Sequence, residues 1–202
     1  MNNSAKQPVP ETFTDIMRRA FRIPLDSAAA YLHGLGISPN VVTLLGLLGV
    51  MVGSYFLAKG RFNWAMVILL SMAPFDALDG ALARLNGIST PFGAMLDSFS
   101  DRYAELFIYG GLMWYFMQRG EFIFAILCLG AVGGSVMVSY ARARAESLGA
   151  EMKDGWFSRV ERLLVLGLAI LLHVPAIGVV IVALGANATA VQRLWLAYKR
   201  LS

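Results

Sequence analysis

VVTLLGLLGVMVGSYFLA, residues 41–58, decides the fold class: eighteen residues without a charge, inside a stretch from Gly34 to Ala58 that carries none. At 1.5 Å of rise per helical residue, a hydrocarbon layer about 30 Å thick needs roughly 20 apolar residues to cross it. This segment meets that length, and Lys59 and Arg61 close it. The rest of the chain follows the same pattern. Of its 202 residues 57% are hydrophobic and 15% charged, with a mean hydropathy of +0.62 and a net charge of +4. Those figures exclude a disordered chain and exceed what a water-soluble core uses. The single cysteine, Cys128, excludes an internal disulfide scaffold. Residues 1–15 lack the basic start and apolar run of a cleaved signal, so the apolar segments are expected in the mature protein.

Working outward, a second span is expected from Phe62 through FNWAMVILLSMAPF into DALDGALARL, followed by a turn at NGISTP. A third begins near Gly93, polar in its first half and apolar to Arg119; a fourth covers Phe122 to Ala141. Residues 163–192 carry no formal charge, and the His173-Val174-Pro175 break divides them into a fifth and a sixth span joined by a tight turn. The expected fold is an all-α integral membrane protein of six transmembrane helices in one domain. Residues 1–33 would form a cytoplasmic tail and interfacial amphipathic helix, with Phe13, Ile16, Met17 and Phe21 at helical spacing among arginines. Residues 34–202 would form the bundle. With six spans, fourteen of the seventeen Lys and Arg residues fall on one side, and only Lys59, Arg61 and Arg119 on the other. The positive-inside rule then puts both termini in the cytoplasm, in a cell membrane. No nucleic-acid partner is expected.

Against this apolar frame Asp76, Asp79, Asp97, Asp101 and Glu105 crowd into thirty positions. Each carboxylate at membrane depth costs at least about 2.5 kcal/mol unless compensated. Their spacing offers the compensation. Asp76 and Asp79 are three apart on one helix, Asp97 and Asp101 four apart on the next, so each pair shares a helical face and the two faces can meet. Four hard oxygen donors suit Mg²⁺, with Mn²⁺ as an alternative. Gly80 and Gly93 leave room for a ligand, Ala83 keeps the face shallow, and Arg84 offers a fork of donors, a combination that suits a diphosphate. The competing readings are plain ion pairs with arginine and an EF-hand, the latter lacking ligands at every second position after Asp79-Gly80.

The complete pattern, Asp76-x2-Asp79-Gly80-x2-Ala83-Arg84-x8-Gly93-x3-Asp97-x3-Asp101, resembles the signature of the CDP-alcohol phosphotransferase (CDP-alcohol phosphatidyltransferase) family. SPNVVT before the first span and SYARARAESLG after the fourth extend the likeness over most of the chain. The resemblance implies a six-helix membrane enzyme of phospholipid biosynthesis, usually a homodimer. It would transfer a phosphatidyl-type group from a CDP-linked lipid such as CDP-diacylglycerol to an alcohol, releasing CMP. It further implies that Asp76, Asp79, Asp97 and Asp101 hold one or two divalent metal ions. Asp101 would also be the general base, and Asn40, Thr43, Gly80, Arg84 and Thr90 would hold the CDP-lipid.

Arg142, Arg144, Arg159, Arg162 and Arg193 gather on the side of the acids, more than orientation requires, and suit an anionic acceptor by bidentate contacts. SYARARAE, RVER and Gln192-Arg193 resemble the branch of the family that uses inositol phosphate, although Arg142 stands where that branch often has Lys. Inositol phosphate is therefore the expected acceptor, with glycerol 3-phosphate as the alternative. A prenyltransferase would need a longer chain with its acidic motifs farther apart. A non-enzymatic cation-binding protein or transporter, or a structural dimer packed through Gly49–Gly53 and Gly130–Gly134, is the different-class alternative.

Overall fold

Pro39, Pro91 and Pro175 each open a helix at a first position where no backbone N–H is needed. Helices stop where the chain reaches Gly60 (φ 67°) and Gly120 (φ 72°), which take the left-handed conformation that ends a helix. The computed structural model describes residues 13–85, 87, 90–152 and 154–202, with side chains from residue 24 onward. Eight helices account for nearly all of them: α1 (Phe13–Gly34), α2 (Pro39–Ala58), α3 (Phe62–Met72), α4 (Phe75–Leu85), α5 (Pro91–Gln118), α6 (Phe122–Ser147), α7 (Arg159–Leu171) and α8 (Pro175–Leu201). No strand occurs among the described residues.

Four segments are long and apolar enough to cross a membrane: Pro39–Ala58, Phe62–Leu85, Phe122–Ser147 and Pro175–Leu201. Two of the six expected spans differ from these. Helix α5 has 28 residues but carries Asp97, Asp101, Arg102 and Glu105, and α7 has only 13 residues, about 20 Å of helix. A helix does form over Phe13–Gly34. The apolar face expected on Phe13, Ile16, Met17 and Phe21, the side chains of Lys6, Arg18, Arg19, Arg22 and Lys153, and turn residues 86, 88 and 89 lie outside the described set.

The second expected span is interrupted. Pro74 has no N–H to offer the Leu70 carbonyl, which instead accepts from Ala73 N at 3.3 Å, and α4 starts afresh at Phe75. The break puts Asp76 in the first turn of α4. The expected turn at His173 is present: His173 takes φ 60°, its ring 2.9 Å from Asn63 Oδ1 and edge-on to Phe62.

Helix α2 packs along α5 and α6 along α8. A Cβ on Gly111 would come within 2.4 Å of Ser54 O, and one on Gly134 within 2.6 Å of Asn187 Nδ2, so both helix pairs close on glycine. The main core joins Leu57, Phe62, Leu112, Phe116, Cys128, Leu166 and Val182. A second, smaller cluster of Ala29, Val42, Ala81 and Leu82 holds α1 and α2 against α4. Large apolar side chains such as Leu48, Trp64, Val67, Ile126, Leu129 and Leu184 face outward. That is the surface of a protein solvated by lipid rather than water.

Candidate active site

Two cavities meet at Thr43 and Asp76. The polar one, about 360 Å³, lies between the start of α2, α4 and the start of α5, and Asn40, Thr43, Asp79, Gly80, Thr90, Gly93 and Asp97 line it. The other, about 250 Å³, runs from Asp76, Asp101 and Arg159 among apolar side chains of α2, α3, α5 and α7, including Leu47, Leu69, Leu163 and Ile170.

Between them, Asp76, Asp97 and Asp101 each offer one carboxylate oxygen, and the three oxygens lie within 4.8 Å of one another. Asp76 is exposed, while Asp97 and Asp101 are half-buried. Asp79 is buried and stands apart from this trio, accepting a hydrogen bond from Thr43 Oγ1 at 2.6 Å. The helix register explains the grouping. Asp97 and Asp101 are one turn apart on α5, and the Pro74 break swings Asp76 across to them. Three carboxylates at this separation fit one divalent cation, a hard ion that takes oxygen ligands.

Arg159, the first residue of α7, spans two of these acids: Nη1 is 3.3 Å from Asp76 Oδ2, and Nη2 is 2.6 Å from Asp101 Oδ1. Its Nε is buried with no partner among the described residues. Arg102 approaches Asp101 Oδ2 at 3.8 Å and donates to Ser98 O.

The remaining candidates divide by surroundings. Thr90 caps α5, its Oγ1 accepting from Gly93 N at 3.0 Å. Asn40 Oδ1 lies 3.4 Å from where a Gly93 Cβ would be, so glycine keeps that wall of the polar cavity open. Arg84, in the last turn of α4, is exposed and folds back toward Gly80. The five arginines do not form one patch. Arg142 pairs with Glu146 at 2.9 Å and Arg144 reaches Ser147, both exposed. Arg193 is buried and donates to Asp154 O at 2.9 Å and Val138 O at 2.7 Å. Arg162 is buried and pairs with Glu105, Nη2 to Oε1 at 3.0 Å. Of these five, Arg159 alone touches the carboxylate trio.

Sequence reading assigned no partner to Glu105. The signal was present: Glu105 lies four residues after Asp101, and Arg162 three after Arg159, so matching helical steps join α5 to α7 twice.

Comparison with known proteins agrees with this geometry. The model of the CDP-alcohol phosphatidyltransferase family matches residues 36–192. The archaetidylinositol phosphate synthase of Pyrococcus horikoshii is 37% identical over 92% of this chain and 96% of its own. The crystal structure of the Mycobacterium tuberculosis phosphatidylinositol phosphate synthase with CDP-DAG bound superposes with a TM-score of 0.81 at 29% identity, covering 86% of this chain and 93% of that one. The same enzyme in complex with manganese and citrate gives a TM-score of 0.78 at 29% identity, covering 86% and 88%.

Proposed function

The chain belongs to the CDP-alcohol phosphatidyltransferase family and is an enzyme; from that premise we propose that it makes phosphatidylinositol phosphate from CDP-diacylglycerol and inositol phosphate. The observation that carries the reading is the carboxylate trio bridged by Arg159 at the junction of a polar and an apolar cavity. The cytidine diphosphate belongs in the polar cavity, among Asn40, Thr43, Asp79, Gly80, Thr90 and Gly93, with Arg84 at its rim. The two acyl chains extend away from it along the apolar side.

The cofactor is a divalent cation, Mg²⁺ or Mn²⁺. Asp76, Asp97 and Asp101 would hold it, with Asp79 close by on the same helix as Asp76, and when bound it neutralises charge on the diphosphate. Asp101 also takes the proton of the acceptor hydroxyl. The hydroxyl oxygen bonds to the lipid-side phosphorus while the bond from that phosphorus to the CMP oxygen breaks, and CMP leaves. The acceptor's own phosphate belongs beside the Arg159 guanidinium, a charged fork of donors that already reaches Asp76 and Asp101. Arg142 and Arg144 lie at the exposed end of α6 as further donors; Arg162 and Arg193 support that side from within the protein.

We read six spans, with α3 and α4 forming one broken crossing and α5 and α7 completing the set. The acids are compensated by cation and arginine, and the short α7 is flanked by its neighbours. Residues 34–202 form one catalytic domain, and α1 lies at the interface. Both termini and the site face the cytoplasm of a cell membrane, and the enzyme acts as a homodimer.

The test is CMP release by the purified protein given CDP-diacylglycerol, Mg²⁺, and inositol phosphate or glycerol 3-phosphate. Acceptor-dependent CMP with inositol phosphate is expected. Preference for glycerol 3-phosphate would reassign the acceptor, and no acceptor-dependent CMP would sink the transferase reading.

A further inference from the structure

Glu105 and Arg162 are both buried, at 6% and 2% exposure, and neither belongs to the carboxylate trio or to the polar cavity. Burying two charges loses so much hydration that their attraction scarcely restores it, and apolar side chains of similar volume commonly stabilise as well. Stability therefore does not account for the pair. Direction does. Arg162 donates through Nη2 to Glu105 Oε1 at 3.0 Å and through Nη1 to Phe157 O at 3.3 Å, tying α5 at once to α7 and to the segment that leads into it. Beyond its first turn, where Arg159 meets Asp76 and Asp101, α7 packs through apolar contacts such as Gly178 against Ala169 and Leu166. The apolar cavity lies between α5 and α7, so side-chain bridges set the register of one helix on the other.

We propose that Glu105 and Arg162 are positioning residues: their buried pair fixes the first turn of α7 on α5 and so holds Arg159 over Asp101, where the phosphorylated acceptor binds. The two bridges are consecutive rungs, Asp101–Arg159 and Glu105–Arg162, one helical turn apart on each helix. The polar cavity is lined by α2, α4, α5 and the residues just before them, with no residue of α7. Loosening α7 therefore disturbs the acceptor and leaves the cytidine diphosphate untouched, whereas the acyl chains run along a cavity whose wall α7 shares. This inference rests on the function proposed above.

The test is steady-state CMP release with both substrates varied and CDP added as an inhibitor, on wild type and Glu105→Gln, alongside thermal melting in detergent. Glu105→Gln is expected to raise the KM for inositol phosphate by about tenfold, the equivalent of one step of 1.4 kcal/mol. The inhibition constant of CDP, which carries no acyl chains and fills only the polar cavity, should stay within about twofold, under a third of that step on the same logarithmic scale. Glu105→Asp, which keeps the charge, should recover part of the loss. If Glu105→Gln does not fold, the double variant Glu105→Leu/Arg162→Leu leaves no unpaired buried charge and should show the same split. Equal rises in both constants, or a lowered melting temperature with unchanged constants, would overturn the proposal. A wild-type protein that releases no CMP with inositol phosphate overturns the function and this inference with it, which separates the two failures.

Discussion

Asp101 has two distinct neighbours, the other trio carboxylates on one side and the Arg159 guanidinium at 2.6 Å on the other. A group so placed can hold a cation and still lie next to an incoming hydroxyl. As the proposed general base it would contribute a factor of about 10²–10⁴. Asp101→Asn keeps the shape but removes the base, so turnover should fall by at least about 100-fold while some CDP-lipid binding persists. Turnover near the wild-type rate, measured as CMP release, would reassign the base. Asp79 differs from the other three: Thr43 already donates to it at 2.6 Å within the buried wall of the polar cavity. Four aspartates at ordered spacing were legible in the sequence. That three converge while the fourth is held by Thr43 depends on the angle between α4 and α5, which no spacing along the chain encodes.

At the scale of elements, glycine decides how closely the helices approach. A methyl group on Gly111 would sit 2.4 Å from the Ser54 carbonyl oxygen, a backbone atom fixed in α2, so Gly111→Ala must push α2 and α5 apart. Overpacking of this kind costs about 1–3 kcal/mol, and the detergent melting temperature should drop clearly. Gly49→Ala meets the Met72 side chain from Cγ outward and no backbone atom; that flexible chain can rotate away, and the variant regains up to about 1 kcal/mol of helix propensity. Its melting temperature should stay near wild type; equal losses in the two variants would refute this account of the α2–α5 contact. The glycines at 49 and 53 face Met72 and Leu69 of α3, so they pack within the chain. The Pro74 break was likewise visible as a residue, but its consequence was not. A proline says that a helix must stop, whereas the direction in which α4 restarts is set by the apolar contacts of Ala81 and Leu82 with Ala29 and Val42.

For the whole molecule, the distribution of charge predicts orientation. Lys59, Arg61 and Arg119 lie at the end of the bundle that also carries His173, while the site and the α6–α7 connection lie at the other. Asp154 fastens that connection to the C-terminal helix through Arg200, which donates to its carboxylate at 2.6 Å and also to Glu151 O. The hydrogen bond from Arg200 holds the Asp154 carboxyl below the usual carboxylate range. Because Cys128 is the single cysteine and is buried, introduced cysteines can be labelled against a quiet background. An impermeant maleimide on intact cells should label Gln118→Cys, and should label Gly149→Cys only after permeabilisation. The reverse pattern would invert the orientation.

The amino-acid sequence alone determined that the chain is helical and membrane-embedded, that its acids sit on two adjacent helices, and that its basic residues favour one side. Each of these follows from composition, period and sign, which are local properties. The tertiary structure decided which charges meet. Arg159 reaches Asp76 and Asp101, Arg162 is paired with Glu105, Arg193 is held by backbone carbonyls, and Arg142 and Arg144 remain at the surface. Five arginines that look alike in sequence differ in partner and burial because a salt bridge or hydrogen bond requires two groups within a few ångströms. Only the packing of α5, α6, α7 and α8 brings them there.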